Sequence, residues 1–380
     1  MAVNIYDIML PEIFIYRIFK YLSYEDLRNA KATCKKWREF IFTLYKIDNQ
    51  TKCKLRIMIS LYNFTSKISA SFLDKVAIHN SVFVSGAVNY GIYPRDCNEN
   101  IPSNVEVIGR YTCNLPSLPK SYMMHSMTIN NASELMVIGG KNEKFKHCYV
   151  YKGCKWVYHS SLNKSRVSFC SVSMLDGIYV FGCMPLQSDT NIQLTAEHLP
   201  NGKSIWQNLD SRIPQPGITG AHAVAISPNE ILFTGNKHWA ACRRILTFNI
   251  STKQWTHHGH FEKPRWFHSS FVYRNRVIIS GGTDTFGAIN STEIITLQTK
   301  SVKEGGDLNE ARYGHGMGII EINGIQRLVA FGGFDGHCKR KGKWLTSFEV
   351  WNDSLECWEK TDMKLPKPLS YFGYCSKPVF

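Results

Sequence analysis

Six times along this chain an apolar run ends in glycine: Val84-Ser85-Gly86-Ala87, Val137-Ile138-Gly139-Gly140, Val180-Phe181-Gly182-Cys183, Phe233-Thr234-Gly235-Asn236, Ile279-Ser280-Gly281-Gly282 and Ala330-Phe331-Gly332-Gly333. Their first glycines lie 53, 43, 53, 46 and 51 residues apart. A unit of that length cannot bury its apolar face alone, so copies must stack on one another. The plan is plainest from Arg312 to Gly333, where residues 315–321 and 327–331 read as buried strands and Asn323-Gly324 supplies the positive φ of a tight hairpin. Adjacent glycines then let the chain leave the strand where a side chain would meet the neighbouring sheet. A strand and a Trp follow at Tyr149 to Trp156, Ile245 to Trp255 and Phe348 to Trp358, with Trp206 a looser case and Val302 in the Trp position of the fifth copy.

These residues resemble kelch repeats over roughly residues 72–380, although only three of the six copies keep both glycines. The resemblance implies a six-bladed, all-β kelch-type propeller. Seven candidate inner strands compete for six places, and the strand near Tyr371 to Lys377 is favoured over the one near Lys75 to His79, since pairing the two chain ends leaves no open edge.

Residues 8–45 do not repeat. Leu10, Ile13, Phe14, Ile18, Phe19 and Leu22 form an apolar stripe at helical spacing, Ser23 and Asp26 mark a second helix start, and Cys34, Trp37, Phe40, Ile41 and Leu44 form a third stripe. Three short helices make a marginal core that gains stability by docking a partner. The order Leu10-Pro11-Glu12-Ile13, Ile18-Phe19, Leu22, Glu25-Asp26-Leu27 and Cys34-Lys35-Lys36-Trp37-Arg38 is similar to an F-box, with Thr33 where the family more often has an aliphatic residue. A small helical cap of the propeller is the alternative. The expected organisation is an all-α F-box domain over 1–47, a linker over 48–71 that reads equally as helix or strand, and the propeller over 72–380. The resemblance implies adaptor contacts by Leu10, Pro11, Ile13, Ile18, Leu22 and Leu27, with Trp37 supporting the packing.

The 380 residues, 44% hydrophobic, suffice for a large core and more than one domain. No signal-like start and no run long enough to span a bilayer is seen, so a soluble protein of cytoplasm or nucleus is expected. Twelve scattered cysteines, several inside predicted strands, read as free thiols. His257-His258-Gly259-His260 lacks further ligands for zinc, and no metal or cofactor is expected. The net charge of +15 favours acidic partners, but without a long basic run or an aromatic RNA-binding signature it argues against nucleic acid.

In an antiparallel four-stranded blade the start of strand one and the end of strand two share a rim. Long loops gather there, at Lys237 to Arg243, Thr283 to Ser291 and Phe334 to Leu345, marking it as the binding face. Arg166, Arg265 and Arg312 stand just before three inner strands, joined by Tyr122, Thr219 and Leu369 in the other copies. The kelch resemblance implies that such arginines line a peptide pocket, with Trp266, Tyr313, Tyr122 and the basic loop Lys339-Arg340-Lys341 beside them. The alternative is that they pair with blade carboxylates between repeats. His125, His222, His268 and His315 recur three residues later and read as structural hydrogen-bonding groups.

Together the resemblances imply a non-catalytic substrate receptor of a Skp, cullin and F-box ubiquitin ligase, the helical segment docking the Skp-type adaptor and through it a cullin. The propeller would hold an acidic or phosphorylated protein segment. A scaffold without ubiquitin transfer and a propeller enzyme are the rival classes; against the enzyme stand the missing Asp box and the lack of a plausible copper set.

Overall fold

The computed structural model describes residues 82–85, 105–108, 113–119, 124–132, 134–140, 146–152, 155–184, 191–322, 325–336 and 342–375. All fall in the second of two units, residues 70–380. The expected F-box helices, the linker, the Lys75 to His79 candidate, Tyr122, the Asn323-Gly324 turn and Lys339-Arg340-Lys341 lie outside the described residues.

Three short strands come first: β1 (Val82–Ser85), β2 (Val105–Ile108) and β3 (Cys113–Leu115). Five antiparallel sheets of four consecutive strands follow. Blade one holds β4 (Ser126–Ile129), β5 (Leu135–Ile138), β6 (His147–Lys152) and β7 (Lys155–Ser161). Blade two holds β8 (Cys170–Met174), β9 (Gly177–Phe181), β10 (Ala196–Pro200) and β11 (Gln207–Asn208). Blade three holds β12 (His222–Ser227), β13 (Glu230–Thr234), β14 (Arg244–Asn249) and β15 (Gln254–His260). Blade four holds β16 (Ser269–Tyr273), β17 (Arg276–Ser280), β18 (Thr292–Thr296) and β19 (Val302–Gly305). Blade five holds β20 (Gly316–Ile322), β21 (Ile325–Phe331), β22 (Ser347–Asn352) and β23 (Cys357–Lys364).

The propeller expected to have six blades is therefore corrected to five, because among the described residues five copies fold as four consecutive strands. The copy around Gly86 departs from that plan. Its strands β1 to β3 span three or four residues each, and their sheet takes its remaining strand, β24 (Gly373–Cys375), from the far end of the chain in the order β24-β1-β2-β3. This closing sheet is a seam: Phe83 pairs with Cys375 and Ser85 with Gly373, so the first and last described strands hydrogen-bond. The carboxy-terminal candidate is thus the one that closes the ring, and no edge of β1 is left open.

Stacking of blade on blade makes the core. Phe181, Phe233 and Phe248 fill the space between blades two and three, and Ile278, Ile294, Met317 and Ile319 that between blades four and five. The recurrent Trp is the bolt between them. Cross-strand pairs Tyr151–Trp156, Phe248–Trp255 and Trp351–Trp358 seat each indole. The indole N–H then donates backwards: Trp206 to Ser160 Oγ (3.1 Å), Trp255 to Ser211 Oγ (3.1 Å) and Trp358 to Thr292 Oγ1 (2.9 Å). The closing glycines are needed where expected. At Gly235 (φ 66°) an added Cβ would fall 2.5 Å from the Arg265 carbonyl oxygen, and at Gly333 (φ 95°) 2.8 Å from the His315 Cβ.

Candidate functional site

The rim identified from loop length carries the exposed aromatics. Trp239, in a single 3-10 turn (Trp239–Ala241), is 83% exposed and Phe286 is 87% exposed. Beneath them the loops are ordered by single bridges, Trp266 to Thr283 and Thr283 to Ala288 in one blade, Tyr313 to Phe334 and Phe334 to Trp344 in the next. Tyr313 is buried edge-on against Phe334 (5.6 Å between centroids) and beside Tyr371 (5.9 Å), while Trp266 is half-buried.

The three arginines do not line the mouth. Arg166, Arg265 and Arg312 are each 0% exposed and occupied by their own blades. Arg312 Nη1 donates to the carbonyls of Gly332 (2.9 Å) and Ser347 (3.2 Å), and Nη2 to Ser347 Oγ (3.1 Å) and Glu349 (2.8 Å). Arg166 repeats this with Gly182, Thr195 and Glu197, and Arg265 with Gly281, Ser291 and Glu293. Each carboxylate also accepts from the segment entering the blade: Glu349 from the backbone N–H of Asn309 (2.6 Å) and Glu310 (3.1 Å), Glu197 from Asn163 and Lys164, Glu293 from Glu262 and Lys263. The arrangement ties the entering loop to the third strand through a buried ion pair. The arginines pair with carboxylates and do not line a pocket, but each pair lies within one blade and not between repeats as the alternative reading had it.

Hydrogen bonding also corrects the register of one copy. The second glycine position donates to the residue before each inner strand: Gly140 to Arg166, Asn236 to Arg265, Gly282 to Arg312, Gly333 to Leu369, and Cys183 to Ile218. Ile218, and not Thr219, is therefore the equivalent of the arginines. Aligning Gly220 with Gly314 would have shown this in the sequence. The shift moves His222 one residue past the other histidines, onto the opposite face of its strand. His268 Nε2 meets Thr234 Oγ1 (2.8 Å) and His315 Nε2 meets Ser280 Oγ (3.1 Å), both bonds to the preceding blade. His222 instead faces the following blade, at the edge of the central channel.

The channel, of about 270 Å³, is lined by β4, β8, β12, β16 and β24 together with Gly314, His315 and Met317. Among the described residues its wall carries no Asp, Glu, Lys or Arg. Burial lowers the His222 pKa to about 4 and holds His268 and His315 well below the ordinary imidazole value, so all three are neutral at pH 7. A chain of hydrogen bonds crosses the channel, and its direction follows by elimination. Ser269 Oγ donates its proton to the His315 carbonyl (2.6 Å), so it accepts from the Tyr374 hydroxyl (2.9 Å). That hydroxyl must then accept from His222 Nε2 (2.9 Å), which leaves Nδ1 to accept from Ser270 Oγ (2.7 Å). Tyr374 of the closing strand is thus pinned to blades three and four, with burial raising its own pKa to about 12. Sequence reading missed this set because its members belong to three strands far apart in the chain, β12, β16 and β24.

At the mouth, six left-handed residues form a collar: Met124, Ser168, Gly220, Phe267, Gly314 and Tyr371, with φ between 48° and 60°. Their backbones bond around the axis: Met124 N to Tyr371 O, Ser168 N to Met124 O, Phe267 N to Gly220 O, Gly314 N to Phe267 O and Tyr371 N to Gly314 O. Between Ser168 and Gly220 the collar has no such bond among the described residues.

Comparison with known proteins places these features. A model of the F-box-like family matches residues 9–46. The chain carries an F-box-like domain and a β-propeller of five blades with a closing sheet. It is 25% identical over 178 residues to beta-scruin of Limulus polyphemus, a match covering 43% of this chain and 18% of that protein. Over 143 residues it is 26% identical to acyl-CoA-binding domain-containing protein 5 of Arabidopsis thaliana, covering 35% of this chain and 22% of the relative. Both matches thus span less than a quarter of the relative's own length. The structure is similar to that of YjhT, with a TM-score of 0.57 and 17% identity over 68% of this chain and 88% of that one, a likeness of fold alone. Among the described residues no helix is long and apolar enough to cross a membrane.

Proposed function

We propose that the chain is a non-catalytic substrate receptor of a Skp, cullin and F-box type ubiquitin ligase, with residues 1–47 docking the adaptor, 48–71 connecting, and 72–380, of kelch kinship, holding the protein to be modified. The observation that carries this reading is the F-box-like match at residues 9–46 in the same chain as a propeller. Leu10, Pro11, Ile13, Ile18, Leu22 and Leu27 supply the apolar adaptor surface and Trp37 supports it. The role is positional: a tethered substrate lysine meets the conjugating enzyme at high effective concentration without any bond chemistry in this chain. Substrate recognition belongs to the open rim around Trp239, Trp266 and Phe286 and not to the buried arginines.

The test is copurification of the full chain with a Skp-type adaptor and a cullin. Replacing Leu10 and Pro11 together by Ala should remove roughly 2–4 kcal/mol of adaptor binding, as central interface residues do. Adaptor capture unchanged by that pair, or capture of substrate without any cullin, leaves a plain scaffold.

A further inference from the structure

The open link of the collar has a defined polarity, an acceptor on Ser168 and a donor on Gly220. Five neighbouring pairs around the mouth are joined by backbone bonds, whereas in the sixth pair of the ring the Ser168 carbonyl and the Gly220 N–H make no backbone bond, to each other or to another residue, among the described residues. Both residues line the channel, and Gly220 is buried. A buried backbone donor without a partner is rare, because leaving it unmet costs nearly a whole hydrogen bond. The adjacent link shows what is missing: Phe267 N reaches Gly220 O at 2.8 Å. At this corner a Cβ on residue 220 would press on the Phe267 ring at 2.9 Å, so glycine leaves the space beside the ring open.

One donor beside one acceptor is the complement of a single amide group, which offers a carbonyl and an N–H. Below the gap the channel holds about 270 Å³, less than the roughly 300–1000 Å³ of pockets that take drug-sized molecules, and enough for a side chain. With no ionised group on its wall among the described residues, a charged side chain entering there would lose its hydration without a partner. We propose that the mouth between Ser168 and Gly220 is a seat for an uncharged peptide group of the recognised protein, whose backbone amide closes the collar while a neutral polar or small side chain enters the channel. This deepens the receptor reading and depends on it only in that the propeller is the part that recognises protein.

The full chain labelled with carbonyl-13C threonine and 15N glycine isolates two amides by NMR, because Thr219-Gly220 and Thr234-Gly235 are its Thr-Gly pairs. Gly235 is the internal control, bonded to the Arg244 carbonyl at 3.1 Å. Without ligand, the Gly220 amide should exchange with solvent more than about tenfold faster than that of Gly235. Titration with N-acetylglutamine methylamide should move the Gly220 signal saturably at millimolar concentrations, leave Gly235 in place, and slow Gly220 exchange. N-acetylglutamate methylamide at pH 7 should not. Ser173→Phe, or Ser173→Leu should the larger ring prevent folding, should abolish the response by filling the channel. Equal protection of the two glycines, no movement of Gly220, an equal response to the charged probe, or a response that survives the filled channel each overturns the proposal. No adaptor or cullin is needed, so failure here and failure of the ligase reading are told apart.

Discussion

Removing Glu349 should unfold the propeller far more readily than removing any exposed charge. Glu349 is 1% exposed and accepts four hydrogen bonds: from Arg312 Nη2 (2.8 Å), from the Asn309 backbone (2.6 Å) and side chain (2.9 Å), and from the Glu310 backbone (3.1 Å). Glu349→Ala leaves the buried Arg312 guanidinium with only the more exposed Glu310 carboxylate, at 3.3 Å, and the loop entering blade five without its anchor. Breaking a buried pair on one side costs about 3–5 kcal/mol. At about 2 °C per kcal/mol for a domain of this size, the melting temperature should fall by about 6–10 °C. Lys152→Ala, at an ion pair whose lysine is 71% exposed, is the control and should change stability by less than about 0.5 kcal/mol. The double replacement Arg312→Met with Glu349→Leu should cost less than the two single losses summed, since neither charge is then stranded. Thermal unfolding of the full chain, followed by circular dichroism and calorimetry, compares the unaltered protein with these variants and with Arg312→Met and Glu349→Leu singly. A loss below about 1 kcal/mol in Glu349→Ala would refute the argument, because it would mean that the pair and the loop are not held by one another.

Acid should weaken the fold through its histidines. The folded pKa of His222 is depressed to about 4, so the unfolded chain takes up its proton first as pH falls through about 6.5; stability is complete above that value, is lost between about 6.5 and 4, and His222 alone accounts for roughly 3 kcal/mol. Urea midpoints that stay level from pH 7 to pH 5 would contradict this, and His222→Asn should flatten the slope. Tyr374→Phe strands the His222 Nε2 proton and the Ser269 oxygen at the seam and should cost about 1–3 kcal/mol in the same assay. Deleting residues 371–380, which removes β24, should lower the melting of the whole propeller; a truncated chain that melts like the intact one would show that β24 does not close the ring.

What the sequence determined by itself was whatever local pattern encodes. Strand after strand, the glycine closures and the paired Trp positions follow from apolar run length and φ preference, which neighbours in the chain set together, and Val302 in place of Trp marks β19 as it does in the structure. The F-box-like segment was legible for the same reason, its apolar spacing being a property of one short stretch. Burial is different in kind. Arg166, Arg265 and Arg312 look alike as mouth residues or as blade residues until Glu197, Glu293 and Glu349, some 31, 28 and 37 residues away, are brought beneath them. Register is different too, for a slip of one residue before Gly220 turned His222 from one blade gap to the next, and a strand repeat of two makes such a slip invisible in composition. Only the tertiary structure could seat Tyr374, His222, Ser269 and Ser270 on one chain of hydrogen bonds, and leave one collar link open, because closure of a ring joins residues far apart in the chain, His222 and Tyr374 being separated by 152 positions.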